Sequence, residues 1–305
     1  MTLAKKIASD LKIDLLYIEK IIKYSDFYYK DYSIPKKNGG LRNISQASPE
    51  LKTLQYWVVN NILSDFPVST AAFAYKVGDS IKRHAEYHQA SKYIFHTDIE
   101  NFFLNINSTM LDDIIKRYPN GIYNMNLDLD EAIKTINKIC FRKDQLCIGT
   151  VSSPIISNIV MNQFDETMIT YCEEENITYS RYADDIYLSS ATYLPNTIVK
   201  YIDDLLQKKG LKRNKVKTWF SSRKHRQKIT GLVITTDGKI SIGHTRKADI
   251  KKMVYEKLIH NKGDAERIIG YLSFLKDIEP QTYNNLIVKY SGYCNGDIIK
   301  AIKTM

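Results

Sequence analysis

The sequence predicts an α+β fold, and three observations carry that prediction. Candidate strands and helices follow one another in the order α, mixed, β, α, β-hairpin, α, β, α, without the regular βαβ alternation of a parallel sheet. Residues 180–190, "SRYADDIYLSS", set β-favouring runs on both sides of two adjacent carboxylates, Asp184 and Asp185, as a tight hairpin would. Residues 245–305 read as mainly helical.

Residues 1–30 read as helices carrying many tyrosines. Pro35-Lys36-Lys37-Asn38-Gly39-Gly40 is a basic turn, and Leu41-Arg42-Asn43-Ile44 a short strand after it, so a basic hairpin is expected. Ser48-Pro49-Glu50 carries helix-start signals, with Leu51, Leu54, Val58 and Ile62 following at helical spacing. "YIFHTD" (93–98) is a β-rich run ending in the carboxylate of Asp98. A helical stretch over 108–140, interrupted by Pro119-Asn120-Gly121, leads to a second helix start at Ser153-Pro154, with Ile155, Ile159 and Phe164 among its apolar positions. After the hairpin come a helix over 195–209 and a charge-biased segment. No acidic residue lies between Asp204 and Asp237, whereas Lys208, Lys209, Lys212, Arg213, Lys215, Lys217, Arg223, Lys224, Arg226 and Lys228 are basic.

The 305 residues, 44% hydrophobic and 26% charged, suffice for a folded protein with a substantial core. A net charge of +10 points to a polyanionic partner, nucleic acid first and an anionic membrane second, with lysine-aided solubility as the plain alternative. Cys140, Cys147, Cys172 and Cys294 show neither zinc spacing nor disulfide density and read as reduced, mostly buried thiols. The N-terminus begins as a mixed polar helix rather than a signal peptide, and no apolar run approaches a membrane span. A soluble, cytoplasmic protein with no membrane partner is expected.

Adjacent aspartates in a turn repel each other unless a cation or several donors neutralise them. Two readings are open: a solvent-exposed turn, where Asp is favoured, or a hard-metal site at the tip of a buried strand pair. The strand-like flanks Tyr179, Arg181, Tyr182, Ile186, Tyr187 and Leu188 favour the second. Such a site needs a third carboxylate, and Asp98, ending its own β run, is placed to supply it. Two magnesium ions on shared carboxylates activate an attacking hydroxyl and stabilise a leaving pyrophosphate, the chemistry of nucleotidyl transfer.

The chain here resembles the reverse transcriptases. "HTDIENFF" is similar to the first palm motif of that family, "IGTVSSP" to the second and "RYADD" to the third, in the family's order. The resemblance implies a right-hand polymerase: N-terminal helices and fingers over 1–92, a palm with an antiparallel sheet over 93–244 (with an insertion over 105–150), and a helical thumb over 245–305. It implies that Asp98 and Asp184 are the principal ligands of two Mg²⁺ ions, with Asp185 beside them and the Ile99 carbonyl adding an oxygen. By the same resemblance Phe103 falls at the steric gate, where a ring leaves no room for a 2′-hydroxyl, with Phe102 expected in the core; plain core packing of the pair is the alternative. Gly149 lets the backbone approach the nucleotide, but Ile148 stands where the family usually has Gln and is assigned no polar role. Lys36, Lys37 and Arg42 match fingers residues that grip the dNTP triphosphate. "GLKRNKVKTWF" resembles the fourth motif, which makes Lys217 the candidate proton donor to pyrophosphate or, alternatively, one solvated lysine among many.

The subfamily narrows to retron enzymes. "GDSIKRHAEYH" resembles their N-A-x-x-H signature, with His84 in place of Asn and His88 retained; "KITGLVI" resembles their V-T-G, with Ile229 before Thr230-Gly231. "RIIGYLSFLKDI" is similar to the opening of their thumb, and "SPELKTLQYWVVNNIL" to the helix before the first palm motif. This implies an RNA-directed DNA polymerase that binds a cognate structured non-coding RNA, primes from a guanosine 2′-hydroxyl and makes branched multicopy single-stranded DNA (msDNA). Such enzymes serve in anti-phage defence beside a toxic effector protein encoded nearby. No RNase H domain is apparent, so removal of template RNA is expected to fall to a host RNase H. His84, His88, Lys212, Arg213, Lys215, Arg223, Lys224, Arg226, Thr230 and Gly231 are the expected nucleic-acid contacts, the two histidines being equally readable as a structural pair. A group II intron-like or diversity-generating reverse transcriptase, or a non-catalytic RNA-binding scaffold, is the alternative.

Overall fold

Side-chain caps define the helix ends. In the computed structural model, which describes residues 1–36, 39–294 and 296–304, the chain opens with α1 (Leu3–Leu11) and α2 (Leu15–Lys23). The Thr2 hydroxyl accepts from the Lys5 amide and the Asp14 carboxylate from that of Tyr17, satisfying donors that have no acceptor within the helix. β1 (Tyr29–Pro35) and β2 (Leu41–Ala47) pair antiparallel, with Tyr29 opposite Ala47 and Pro35 opposite Leu41. This is the expected basic hairpin; Lys37 and Asn38 at its tip lie outside the described residues. α3 (Pro49–Asn61) starts where its signals stand, capped by Ser48 and burying Leu51, Leu54 and Val58.

Next come α4 (Ile81–His88), β3 (Tyr93–Ile99), α5 (Ser108–Arg117), α6 (Asn120–Tyr123) and α7 (Leu129–Cys140). α8 (Ser152–Glu174) leads into β4 (Thr178–Tyr182) and β5 (Asp185–Ser190), joined by only Ala183 and Asp184. Ala183 adopts φ +57°, a left-handed conformation that reverses the chain within two residues. α9 (Thr197–Lys208) and β6 (Arg213–Ser222) follow, then the short strands β7 (Gln227–Ile229), β8 (Leu232–Ile234) and β9 (Ile240–Ser241). α10 (His244–His260), α11 (Ala265–Ile278), α12 (Pro280–Ser291) and α13 (Ile298–Thr304) complete the chain.

One sheet has the strand order β4-β5-β3-β6. That order positions the site, because β3 lies between β5, which follows the acidic turn, and β6, which carries the fourth-motif lysine. A separate sheet, β7-β8-β9, is antiparallel throughout.

The chain packs into two compact units, one of residues 1–77, 96–186 and 195–218, the other of 78–95, 187–194 and 219–305. The first buries the apolar faces of α3, α7 and α8, including Trp57, Ile136 and Phe164. In the second, Leu232 and Ile234 of β8 join Ile250, Val254, Leu272, Leu275 and Tyr290 in one core. Residues 78–95 group with the C-terminal helices in the second unit. Cys140, Cys147 and Cys172 are buried, Cys294 is half-buried, and all four are free thiols. Among the described residues no helix is long and apolar enough to cross a membrane.

Candidate active site

Asp98 is the penultimate residue of β3 and only 5% exposed, and Asp184 occupies the turn before β5. The Ile99 amide donates to the Asp184 carbonyl at 2.9 Å, tying the strand end to the turn. Burial, then the charges of Asp185 and Asp98, push the Asp184 carboxyl up to about 7. Lys217 reaches from β6 and donates to Asp98 Oδ2 at 2.7 Å. Partial burial works against its ammonium, but the bond to Asp98 together with the charges of Asp98, Asp184 and Asp185 outweighs this and raises its pKa.

Asp185 is held differently. His96, two residues before Asp98, places Nε2 2.8 Å from Asp185 Oδ1 and Nδ1 3.2 Å from the Lys217 carbonyl. A carbonyl only accepts, so Nδ1 is the donor in that second contact. His96 thereby links the carboxylate strand to the lysine strand.

The donor set suits a hard divalent cation at the Asp98–Asp184 pair: both groups offer oxygen, and Asp184 is partly buried beside the charges of Asp185 and Asp98. Lys217 supplies one positive charge there. Among the described residues no three His, Cys, Asp or Glu side chains stand ready to hold a metal ion, and the Asp185 carboxylate faces His96.

Beneath the turn lies a fully buried ion pair. Arg181 Nε and Nη2 donate to the two oxygens of Asp165 at 2.8 and 2.6 Å, and the Tyr179 hydroxyl donates to the same carboxylate at 2.6 Å. Arg181 Nη1 donates to the carbonyl of Ala183 at 3.0 Å, so the guanidinium clamps the left-handed residue that presents Asp184. The Arg181 backbone bonds to Ala71 and Phe73, fixing the loop that leads to Tyr75. The sequence does carry a signal for Asp165: it shares a helical face with Met161, Met168 and Cys172, all buried, where an acid requires a partner.

The expected nucleotide-contacting residues sit as follows. Phe102 is 3% exposed and Phe103 half-buried, their rings 5.4 Å apart. Arg42 and Lys36 are exposed on and beside the hairpin, and Lys37 lies outside the described residues. Gly149 has φ +109°, and a Cβ there would stand 2.7 Å from Ile44 Cγ2, so only glycine fits against β2. The Ile148 carbonyl accepts from the Ser45 amide at 2.9 Å, a backbone role that needs no side-chain amide.

Several expected nucleic-acid contacts require correction. His84 and His88 are both 0% exposed and contribute no surface for nucleic acid. His84 Nδ1 lies 3.2 Å from Thr230 Oγ1, and His88 Nδ1 2.7 Å from Ser189 Oγ. Burial, then the neighbouring His84, hold His88 well below the usual histidine range. The two subfamily signatures therefore meet inside the protein, Thr230 also donating its amide to the Tyr187 hydroxyl. Arg213 is bonded to both oxygens of Asp203, and Arg223 to the carbonyls of Gln89 and Ser91. Lys212, Lys215, Lys224, Arg226 and Gly231 are exposed. A run of basic letters does not distinguish cations bonded internally from those facing solvent.

The family model for reverse transcriptase (RNA-dependent DNA polymerase) matches residues 34–234. The chain is 33% identical over 296 residues to the retron Ec83 reverse transcriptase of Escherichia coli, covering 90% of each. It is 28% identical over 286 residues to the retron Ec86 reverse transcriptase of the same organism, covering 92% of this chain and 86% of that one. An apo telomerase structure from Candida tropicalis superposes with a TM-score of 0.51 at 12% identity, over 90% of this chain and 60% of that one. That likeness concerns the fold, which is a right-hand polymerase. With three ordered motifs, two of them acidic and set on neighbouring strands, and with these relatives, the chain belongs to the retron reverse transcriptases and is an RNA-directed DNA polymerase.

Proposed function

We propose that this enzyme copies part of a cognate structured non-coding RNA into msDNA, starting from a guanosine 2′-hydroxyl. The observation that carries the catalytic part is the meeting of Asp98, Asp184 and Lys217 from three places in the sequence. Two magnesium ions, when bound, would lower the pKa of the attacking hydroxyl and stabilise the leaving pyrophosphate. Asp98 and Asp184 would hold them, with Asp185 kept beside them by His96. Lys217, kept protonated by Asp98, gives its proton to pyrophosphate. Arg42, Lys36 and Lys37 grip the dNTP triphosphate, while Phe103 closes the space that a 2′-hydroxyl needs. The exposed Lys212, Lys215, Lys224 and Arg226 meet phosphates of the RNA stem-loops, contacts that read shape and weaken with salt.

In this reading the enzyme works in the bacterial cytoplasm beside a toxic effector in anti-phage defence, and a host RNase H trims the template. The test is co-expression with the upstream non-coding region, followed by a denaturing gel of total nucleic acid with and without RNase and debranching enzyme. A discrete DNA band, shifted by debranching and absent in Asp184→Asn, is expected. Polymerase activity on a generic primed RNA without any such band would discard the msDNA reading and keep the polymerase.

A further inference from the structure

Tyr75 is a non-glycine residue at φ +64°, a conformation that side chains seldom adopt without a functional or packing reason. The residue is nevertheless 52% exposed, so burial of apolar surface does not account for the geometry. The backbone before it is firmly held: the Phe73 amide donates to the Arg181 carbonyl at 2.8 Å, and Asn158 Nδ2 donates to the Ala74 carbonyl at 2.9 Å. The same Arg181 clamps the acidic turn, so Tyr75 and Asp184 are referenced to one buried group. The Tyr75 ring lies 6.4 Å from that of Phe103 at 57°, within the range of aromatic contact. Phe103 is thus braced by the buried Phe102 on one side and by Tyr75 on another.

We infer that Tyr75 is a positioning residue of the nucleotide pocket, whose ring fixes the stance of Phe103 and thereby sets how strictly the enzyme rejects ribonucleotides. The inference rests on the reading of Phe103 as the steric gate. A half-buried gate ring rejects a 2′-hydroxyl only if it cannot swing aside, and a second ring against it restricts that freedom. Removing the brace loosens the gate without touching the carboxylates.

The experiment measures kcat/KM for dGTP and for GTP on one generic primed RNA template, with magnesium, for the full-length wild type, Tyr75→Ala, Tyr75→Phe, Phe103→Ala and Tyr75→Ala/Phe103→Ala. Tyr75→Ala is expected to cut the dGTP/GTP preference by on the order of tenfold, chiefly through a lower KM for GTP. Tyr75→Phe, which keeps the ring, is expected to retain the wild-type preference. The double variant should match Phe103→Ala alone, because the brace acts only through the gate. A preference lost in Phe103→Ala but unchanged in Tyr75→Ala would overturn the role of Tyr75 and leave the gate standing. An unchanged preference in Phe103→Ala would overturn the gate reading and the brace with it. Loss of preference in Tyr75→Phe would assign the effect to the hydroxyl and also overturn the brace.

Discussion

Removing the carboxylate of Asp165 would leave the guanidinium of Arg181 without its counter-charge, at a site where both side chains are 0% exposed. Two charge-assisted bonds at 2.6 and 2.8 Å and the acceptor of the Tyr179 hydroxyl disappear together in Asp165→Ala. Breaking a buried pair from one side costs about 3–5 kcal/mol, because the remaining ion has been taken out of water without compensation. At a urea slope of about 3 kcal/mol per M, the unfolding midpoint should fall by roughly 1–2 M. The variant Asp165→Leu/Arg181→Met/Tyr179→Phe removes every member of the network and should recover most of that loss. It should not recover the polymerase rate. With Arg181 gone, the Ala183 carbonyl has lost its donor and the Asp184 turn its clamp, and a fall of about tenfold corresponds to only 1.4 kcal/mol of misplacement. Equilibrium urea unfolding and steady-state dNTP incorporation read the two effects separately. A midpoint change in Asp165→Ala below about 0.3 M, which is under 1 kcal/mol, would refute the buried-pair argument. Wild-type turnover in the triple variant would refute the clamp.

Further expectations concern residues around the same frame. Lys217→Met should lower kcat by on the order of 10²-fold, the usual contribution of a positioned proton donor. Lys217→Arg should restore little, since guanidinium holds its proton; full rescue would assign Lys217 a purely electrostatic role. Gly149→Ala should destabilise by about 1–3 kcal/mol, because the new Cβ meets Ile44 at a backbone angle suited to glycine, and an unchanged melting temperature would show that β2 yields freely. Glu279 faces opposed effects: burial raises its pKa, but bonds from Lys247, the Ile242 amide and Ser241 outweigh it and leave the pKa lowered. Its stabilising contribution is therefore complete above the unfolded carboxylate value and lost as pH falls through the lower folded value. Glu279→Gln should weaken the protein at neutral pH and flatten the acid side of its stability profile; parallel profiles for variant and wild type would count against this.

Local rules made a good part of this molecule legible. Ser48 with Pro49 marked the start of α3, the apolar spacing of Leu51, Leu54 and Val58 marked its buried face, and "SRYADDIYLSS" marked the hairpin from β4 to β5. Capping and side-chain periodicity act within a few residues, so they can be read from neighbours along the chain. The motif resemblance singled out Asp98, Asp184 and Lys217, and the strand order brings these residues together.

By itself the sequence determined the α+β class, the acidic turn, the basic character and the family. Only the tertiary structure decided which groups those residues meet. Lys217 and Asp98 are 119 positions apart and His84 and Thr230 146 apart, distances over which no local pattern reports contact. The burial of His84 and His88, the internal bonds of Arg213 and Arg223, and the placement of Tyr75 against Phe103 likewise depend on elements remote in the chain. A side chain's charge is set by its chemistry, but its partner is set by which strands lie side by side and what they exclude from water.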